Sequence, residues 1–316
     1  MSRLASSAPF TSRWPLLEAG YARATIKKYR KAVADFYDWC HAHGENPKNF
    51  VDLDEALADY FQWLYEQNAG AGKTKAKDAL YGVQLFLPRA QGKLLTASKI
   101  AARWSKLAGT QSYPPLTWEL TVLIAVQIAR HARADLALAT LLGFNCLLRV
   151  GELMSLRRED VAFPTDARMG AEYRVTTLAI RVAKTGKNQS VVVTDPDVLA
   201  LLRARVAATP KGALLFQSGA SGFRALFKRV CAELGLSEKY VPHSLRHGGA
   251  TRLHLKGVPL EDIMMRGRWA SSKSARTYIQ SSRAVLMATV PPAHLVAVAR
   301  VLTRAPKDSL TLAQKH

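Results

Sequence analysis

The chain has 316 residues, which is enough for two domains of ordinary size with separate hydrophobic cores. Its 45 Lys and Arg residues outnumber its 24 Asp and Glu residues, and the net charge of +21 argues against an enzyme for small neutral substrates. This charge favours nucleic acid as the partner, with a merely basic or ribosome-associated surface as the alternative. No apolar run approaches the roughly 20 residues that span a bilayer, so we expect an intracellular protein that does not enter a membrane.

The N-terminal third of the chain predicts an all-helical, basic domain. Residues 1–20 are rich in Ser and Arg and predict a flexible arm. Apolar residues at three- and four-residue steps then predict a helical domain over 21–108, whose second helix opens at Asp52 or Asp54. The predicted helices lie near 21–43, 53–67, 73–87 and 96–107. Lysines on the first and third helices are expected to bind DNA phosphates: Lys27, Lys28, Lys31, Lys73, Lys75 and Lys77.

The rest of the chain predicts a linker and a second domain of mixed structure. Residues 109–115 break the helical pattern and predict the linker. The second domain, 116–290, begins with helices near 118–130 and 133–147. Alternating stretches at 173–182 and 190–194, around Thr185-Gly186, then predict a hairpin. Helices resume after Ser221, and residues 291–316 predict a C-terminal helix and tail. The predicted fold class is therefore mainly α, with an all-α N-terminal DNA-binding domain and an α+β second domain that contains a small antiparallel sheet.

Three patterns that could indicate a metal or a nucleotide have simpler explanations. The stretch Gly70–Thr74 lacks the first glycine of a phosphate-binding loop, because Gln67 stands there, and it follows a helix where a strand is required. His243 and His247 have zinc-like spacing, but Arg246 stands beside them and a cation repels a metal ion. The three cysteines are far apart in the sequence and predict buried thiols. We expect no metal site.

Four short motifs along the second domain indicate a catalytic site. Taken alone, each of their polar or aromatic side chains could have an ordinary structural role, as a cation at a helix end, a capping histidine, a core tryptophan or a packed tyrosine. Their order and spacing together are harder to explain by packing. The motifs are Leu148-Arg149-Val150-Gly151-Glu152, His243-Ser244-Leu245-Arg246-His247, Gly267-Arg268-Trp269 and Thr277-Tyr278-Ile279.

On these motifs the segment 136–279 resembles the tyrosine recombinase (phage integrase) family. That family carries an Arg, an acidic residue three positions later, a Lys in a hairpin turn, a His-x-x-Arg, a His or Trp, and a Tyr, in this order. Cys146-Leu147 in place of the commoner Thr-Gly, and Trp269 where many relatives have His, point towards the Cre-like branch. The helical N-terminal segment is only generally similar to the family's core-binding domain. The resemblance implies a catalytic set of Arg149, Glu152, Lys184, His243, Arg246, Trp269 and Tyr278, with His247 in support.

The chemistry of phosphodiester exchange agrees with this set. Without a metal, the charge that develops on the phosphate oxygens must be met by preorganised donors, and Arg149 and Arg246 are planar forks that bind such oxygens bidentately. His243 and the indole N–H of Trp269 can add donors. The same cations favour the phenolate of Tyr278 as the nucleophile. A hairpin lysine can protonate the leaving sugar oxygen, with Lys184 as our choice and Lys187 as the alternative.

The resemblance implies a recombinase that cuts and rejoins duplex DNA through a 3′-phosphotyrosine, without a metal, ATP or another cofactor. Two basic domains joined by a linker predict a clamp around the duplex. Because the family's C-terminal helix docks on a neighbouring protomer, we also hypothesise a homotetramer on paired DNA sites, with packing in the same chain as the alternative. We expect the protein where DNA is, in a prokaryotic cytoplasm or a eukaryotic nucleus. The alternatives are a type IB topoisomerase-like relaxing enzyme and a catalytically idle DNA-binding protein.

Overall fold

The computed structural model describes residues 12, 14–108, 113–170, 172–181, 189–272, 275–276, 279 and 292–314. The chain divides into two compact units, Met1–Gln111 and Ser112–His316, and this division falls inside the stretch 109–115 that the sequence marks as a linker. Within the described ranges, no helix combines the length and apolar character needed to cross a bilayer.

The first unit is helical throughout its described elements. Its helices are α1 Pro15–Ala19, α2 Arg23–Ala42, α3 Phe50–Gln67, α4 Lys73–Phe86 and α5 Leu95–Leu107. The four helices predicted from apolar spacing are confirmed. The short helix α1 lies within the expected arm, where an ion pair of 2.8 Å joins Glu18 to Arg30 on α2. The flexibility expected of residues 1–20 stays a prediction.

The start of α3 differs from the prediction. The cap is Asn49, whose side-chain oxygen accepts hydrogen bonds from the N–H groups of Val51 and Asp52 at 2.8 Å and 3.0 Å. Asp54 was a candidate cap, but it lies inside α3 and is 8% exposed. Its carboxylate accepts the N–H groups of Thr96 and Ala97, at 2.8 Å and 2.9 Å. Asp54 therefore satisfies the first turn of α5 instead, a long-range pairing that local sequence does not reveal.

The second unit combines helices with a three-stranded sheet. Its helices are α6 Trp118–Arg130, α7 Ala134–Asn145, α8 Val150–Ser155, α9 Pro196–Ala208, α10 Gly219–Glu233, α11 Pro242–Leu255, α12 Leu260–Gly267, α13 Ala293–Leu302 and α14 Pro306–Ala313. Its strands are β1 Val161–Ala162, β2 Thr176–Ile180 and β3 Gln189–Val193. Three elements of this unit were not predicted from the sequence: β1, α8 and α9.

The sheet is antiparallel in the order β1-β2-β3, so the predicted small sheet is confirmed. Leu178 lies opposite Val161 on one side and Val191 on the other, and all three side chains are buried. The turn predicted at Thr185-Gly186 lies outside the described residues. The C-terminal end of β2 and the N-terminal end of β3 therefore lie at the same end of the sheet. The candidate general acids, Lys184 and Lys187, lie between these two ends in the sequence.

The core of the second unit is centred on α6. Apolar residues face every side of this helix, and α7, α10, α13 and α14 all pack against it. The C-terminal helix α13 buries Leu295 and Ala299 in this core, whereas Val298 and Val301 are 49% and 63% exposed. The helix α11 packs on α7, which carries the chain into the Arg149 motif. The three cysteines are buried free thiols, as predicted: Cys40, Cys146 and Cys231.

Candidate active site

The turn between α7 and α8 positions Arg149. Leu147 in this turn has a φ of 52°, a left-handed conformation that residues other than glycine rarely adopt. Arg149 then precedes α8, and its backbone N–H and its Nη1 both donate to the carboxylate of Glu152, at 2.8 Å and 2.6 Å. The Glu152 side chain is 2% exposed, against 24% for Arg149. A buried carboxylate therefore holds a partly exposed guanidinium group.

Arg246 joins three segments of the second unit. Pro242 begins α11, where its missing N–H is not needed, and Arg246 follows one turn later with 1% exposure. Its Nη1 donates to the carbonyl of Leu147, and its Nη2 donates to the carbonyl of Gly267 at the end of α12. These two hydrogen bonds hold the plane of the guanidinium group in one orientation. The α7–α8 turn, α11 and α12 consequently meet at Arg246.

Two adjacent glycines allow α11 to pack this closely. A Cβ on Gly248 would lie 1.9 Å from the carbonyl oxygen of Leu116, and a Cβ on Gly249 would lie 2.1 Å from that of Phe144. Any side chain at either position would clash with backbone. The sequence analysis did not single out this pair, although two glycines inside a helix often indicate a close approach of two backbones.

Trp269 covers Arg246 immediately after α12. The central carbon of the Arg246 guanidinium lies 4.3 Å from the centroid of the Trp269 ring, a cation–π contact. Gly267 leaves room for the ring, because a Cβ there would lie 2.0 Å from a ring carbon of Trp269. The sequence analysis assigned Trp269 a hydrogen-bonding role, and the structure adds a stacking role.

His243 and His247 form a ring pair beside the arginines, with their centroids 4.8 Å apart. Burial, together with the nearby guanidinium groups of Arg246 and Arg149, lowers the pKa of His243 to about 4. Burial also lowers the pKa of His247 to about 3, with contributions from His243 and Arg246. Both imidazoles are therefore neutral at neutral pH. The described part of the chain holds no group of three or more His, Cys, Asp or Glu side chains suited to a metal ion.

Surrounding hydrogen-bond donors and cations stabilise the ionised form of Glu152. Burial alone would raise the pKa of this carboxyl. The backbone N–H of Arg149 and the guanidinium groups of Arg268 and Arg149 outweigh that effect, so that the pKa lies below its usual range. Arg268, which the sequence analysis quoted without a role, donates from its Nη2 to Glu152 at 2.7 Å. Among the described residues, this cluster thus contains three guanidinium groups and one carboxylate, an excess of two positive charges.

A pocket of about 530 Å³ opens beside Arg149 and His243. Arg224 and Lys228, one turn apart on α10, line it together with Tyr113, whose ring lies 6.0 Å from that of His243. None of these three residues was predicted from the sequence. Only the spacing of the two cations on one helix face was readable from the sequence, and nothing in it connects α10 to Arg149. The pocket therefore presents cations from separate elements to one space.

Three of the predicted residues cannot be located relative to this site. Lys184, Lys187 and Tyr278 lie outside the described residues. Ile279 is described, and it packs in a buried cluster with Leu147. The residues that the structure does bring together are Arg149, Glu152, His243, Arg246, His247 and Trp269.

The six lysines expected to bind DNA lie on two packed helices of the first unit. Lys27, Lys28 and Lys31 are exposed on α2. On α4, Lys75 is exposed, whereas the other two, Lys73 and Lys77, are half-buried. The two helices approach closely at Gly82, where a Cβ would lie 2.7 Å from a methyl group of Val33. The lysines therefore belong to neighbouring helices of one compact unit.

Comparisons with known proteins agree with this arrangement. The sequence matches the Phage integrase family over residues 119–284. It is 30% identical over 302 residues to the tyrosine recombinase XerC of Rhodospirillum centenum, a match that covers 89% of this chain and 84% of the relative. The fold is similar to that of the XerH site-specific recombinase bound to its palindromic difH substrate, with a TM-score of 0.57 and 19% identity over 82% of this chain and 77% of that one. It is also similar to a lambda integrase dimer bound to a COC′ core site, with a TM-score of 0.55 and 16% identity over 84% of this chain and 91% of that one. The chain therefore belongs to the phage integrase family of tyrosine recombinases.

Proposed function

We propose that this chain is a site-specific DNA recombinase that cleaves and rejoins duplex DNA through a covalent bond to Tyr278. The observation that carries the proposal is the meeting of two arginines from distant parts of the sequence. Arg246 donates to the carbonyl of Leu147, two residues before Arg149, and Arg149 lines the same pocket as His243. An arrangement of fixed donors with excess positive charge suits a phosphate whose negative charge grows in the transition state.

The proposed reaction needs no external energy source. The phenolic oxygen of Tyr278 attacks the phosphorus and displaces the 5′-oxygen of the next nucleotide, which leaves as a hydroxyl after taking a proton from Lys184. The protein is then joined to the 3′ end through a phosphotyrosine. Attack by a 5′-hydroxyl reverses these steps and frees the tyrosine, so the number of phosphodiester bonds is conserved and neither ATP nor a metal ion is required.

Each described residue has a distinct part in this scheme. Arg149 and Arg246 bind the nonbridging oxygens of the phosphate, since guanidinium forks match them bidentately. His243 is neutral and can either donate to the phosphate or accept the phenol proton. Trp269 supports Arg246 through its ring face. Glu152 and His247 support the other groups from buried positions.

Tyr278 is proposed as the nucleophile on its place in the sequence. Its neighbour Ile279 packs in the buried cluster that contains Leu147 of the α7–α8 turn. Lys184 is proposed as the general acid, with Lys187 as the alternative, because both lie between β2 and β3.

Both units are proposed to bind the duplex. In the second unit, Arg224 and Lys228 lie in the same pocket as Arg149 and suit phosphates next to the one that is cleaved. In the first unit, the lysines of α2 and α4 suit the phosphate backbone without reading its sequence. This division of contacts predicts affinity that falls steeply with added salt.

The experiment that tests the proposal is a covalent trapping assay. A target is first selected with wild-type protein from a pool of duplexes that carry a randomised central segment. A nicked version of the selected duplex then loses its short 5′-hydroxyl fragment after cleavage, which prevents rejoining. We expect a protein–DNA adduct on a denaturing gel for the wild type and none for Tyr278→Phe. Wild-type protein that forms no adduct would overturn the proposal and favour a catalytically idle DNA-binding protein.

The same selected site separates recombination from simple relaxation. Two copies on one plasmid should yield excised or inverted products with wild-type protein. Relaxation of plasmids that lack the site, without recombinant products, would instead favour a topoisomerase-like activity. Integration, excision or mobility of a DNA element is the role that we propose. We also propose a Cre-like site on the basis of Trp269, whose ring supports Arg246 where many relatives carry a histidine.

We propose that the chain acts as a homotetramer on paired DNA sites. The helix α13 packs on α6 of its own chain through one face, and its other face leaves Val298 and Val301 exposed for a second protomer. Replacing both valines with lysine should leave DNA binding by single protomers intact and abolish the assembly of paired sites, measured by sizing in the presence of DNA. Unchanged assembly would remove α13 from the interface.

A further inference from the structure

We propose that Arg268 is a positioning residue for DNA cleavage, which fixes the carboxylate of Glu152 so that Glu152 in turn aims Arg149 at the phosphate. The inference rests on the proposed function and adds a residue to it. Arg268 stands just after α12, in the turn that leads to Trp269. In the sequence it is the middle residue of the motif Gly267-Arg268-Trp269, and no role was predicted for it.

One carboxylate oxygen of Glu152 is bound by Arg149, and the other is bound by both Arg149 and Arg268. One oxygen accepts Nη1 of Arg149 at 2.6 Å. The other accepts the backbone N–H of Arg149 at 2.8 Å and Nη2 of Arg268 at 2.7 Å. Arg149 thus contacts both oxygens by itself, and Arg268 adds a second donor to the oxygen that the backbone N–H binds, which further restricts the plane of the carboxylate. The direction in which Arg149 extends follows from that plane.

Arg268 is itself held from several sides. Its Nη1 donates to the carbonyl of Arg266 at 3.0 Å, and its Nη2 also donates to the carbonyl of Leu147 at 3.2 Å. That carbonyl is the one that accepts Nη1 of Arg246. The side chains of Arg268 and Glu152 are 4% and 2% exposed. These hydrogen bonds join Arg268 to Glu152 and to the α7–α8 turn, and it acts through them.

The backbone at Arg268 gives independent support. Its φ of 55° and ψ of 47° lie in the left-handed region, which glycine adopts far more readily than any residue with a side chain. An arginine in such a position is strained, and strained residues persist where the surrounding structure holds them. The contacts that hold this one are the hydrogen bonds to Glu152 and Leu147. The strain and the contacts therefore point to the same site.

This backbone also supplies a clean variant. Arg268→Gly removes the guanidinium group and relieves the left-handed backbone, so that the chain keeps its fold more readily than with other substitutions. Arg268→Lys keeps the charge but cannot bind Glu152 and two carbonyls from one planar group. Ala132→Gly is the matched control, because Ala132 has a similar left-handed backbone, with a φ of 56°. It precedes the N-terminus of α7, whereas the α7–α8 turn of the site follows the C-terminus of that helix.

The test uses the full chain and the trapping substrate selected with wild-type protein. For both Arg268 variants we expect the single-turnover cleavage rate to fall by at least about tenfold, while the Kd for DNA changes by less than about threefold. Ala132→Gly should cleave at the wild-type rate. Cleavage by both variants at the wild-type rate would overturn the inference and leave the proposed function standing, whereas no adduct from the wild type itself would overturn both.

A double-mutant cycle with Glu152→Gln separates positioning from a general structural effect. If Arg268 acts through Glu152, then Arg268→Lys in the Glu152→Gln background should slow cleavage by less than about threefold. An equal loss in both backgrounds would show that Arg268 acts without Glu152 and would overturn the inference. Thermal unfolding of each variant identifies any that has lost its fold. If Arg268→Gly is such a variant, Arg268→Lys alone is compared with the wild type.

Discussion

The guanidinium group of Arg246 lies against the indole ring of Trp269, 4.3 Å from its centroid, while two carbonyls hold its edge. A lysine keeps the charge of Arg246 but loses the planar fork and the stacked face. We therefore expect Arg246→Lys to bind DNA nearly as well as the wild type but to cleave at least about 100-fold more slowly. The measurement is single-turnover cleavage of the trapping substrate alongside a binding titration.

The same helix offers a matched control for that change. Arg252 lies over the ring of Trp118, with its guanidinium carbon 5.0 Å from the centroid, outside the Arg149 pocket. Arg252→Lys should cleave at close to the wild-type rate. If both lysine variants lost cleavage equally, the effect would reflect damage to α11 rather than loss of a phosphate-binding fork.

The buried histidine pair predicts acid sensitivity. Burial lowers the pKa of His247 in the folded chain to about 3 from an ordinary 6.5, so the unfolded chain takes up a proton first as the pH falls. The stability that His247 contributes is therefore complete above pH 6.5 and is lost as the pH falls towards 3. The loss approaches about 1.4 kcal/mol per pH unit for a full proton.

Variants of two of the three histidines on α11 test this sign. His247→Gln should unfold with a weaker dependence on pH between pH 7 and 5 than the wild type, measured by urea unfolding of the full chain. His254→Gln makes the same substitution on α11 away from the ring pair. A His247→Gln slope equal to that of the wild type would contradict the lowered pKa.

The glycine pair on α11 predicts a large effect from a single methyl group. Gly249→Ala would place a Cβ 2.1 Å from the carbonyl oxygen of Phe144, so α11 must move away from α7. We expect a loss of about 3 kcal/mol or more in the free energy of unfolding, at the upper end for overpacked sites. Gly151→Ala is the control, since no heavy atom lies within 4 Å of its added Cβ, and it should be neutral or slightly stabilising.

The lysines on α2 predict a change in the salt dependence of DNA binding. Replacing Lys27, Lys28 and Lys31 together with alanine should weaken binding to all sequences alike. The slope of log K against log salt should fall by about 0.9 for each phosphate contact that is lost. Binding isotherms at several salt concentrations measure this slope. The control removes three exposed lysines elsewhere, Lys48, Lys211 and Lys307, and a matching loss of slope there would show that only net charge matters.

The choice between Lys184 and Lys187 can be made with a sulfur-substituted substrate. A thiolate leaves without protonation, so a bridging 5′-sulfur removes the need for a general acid. We expect Lys184→Ala to cleave ordinary DNA at least about 100-fold more slowly, and the sulfur substrate near the wild-type rate. Lys187→Ala should cleave both substrates well. The opposite pattern would assign the proton to Lys187.

Much of the fold could be read from local patterns. Apolar spacing of three and four residues located α2 to α7, because each helix buries one continuous stripe or is buried all round. The elements β1 and α9 lacked such signals. The strand β1 has two residues, too few to show an alternating pattern. In α9 only Val198 and Leu202 are buried, so its apolar stripe is short. Its start was nevertheless marked by Asp195, whose side chain accepts the N–H of Val198 at 3.1 Å.

By itself the sequence determined the family and the chemical types of the site residues. A phosphate-binding arginine, a buried acid and a histidine are recognisable by their order along the chain. The tertiary structure decided how these groups hold one another. The grip of Arg268 on Glu152, the stacking of Trp269 on Arg246 and the cations of α10 beside Arg149 all join segments that are far apart in sequence. Hydrogen bonds and ring contacts act over a few ångströms, and only the packing of α7, α11 and α12 brings their partners within that range.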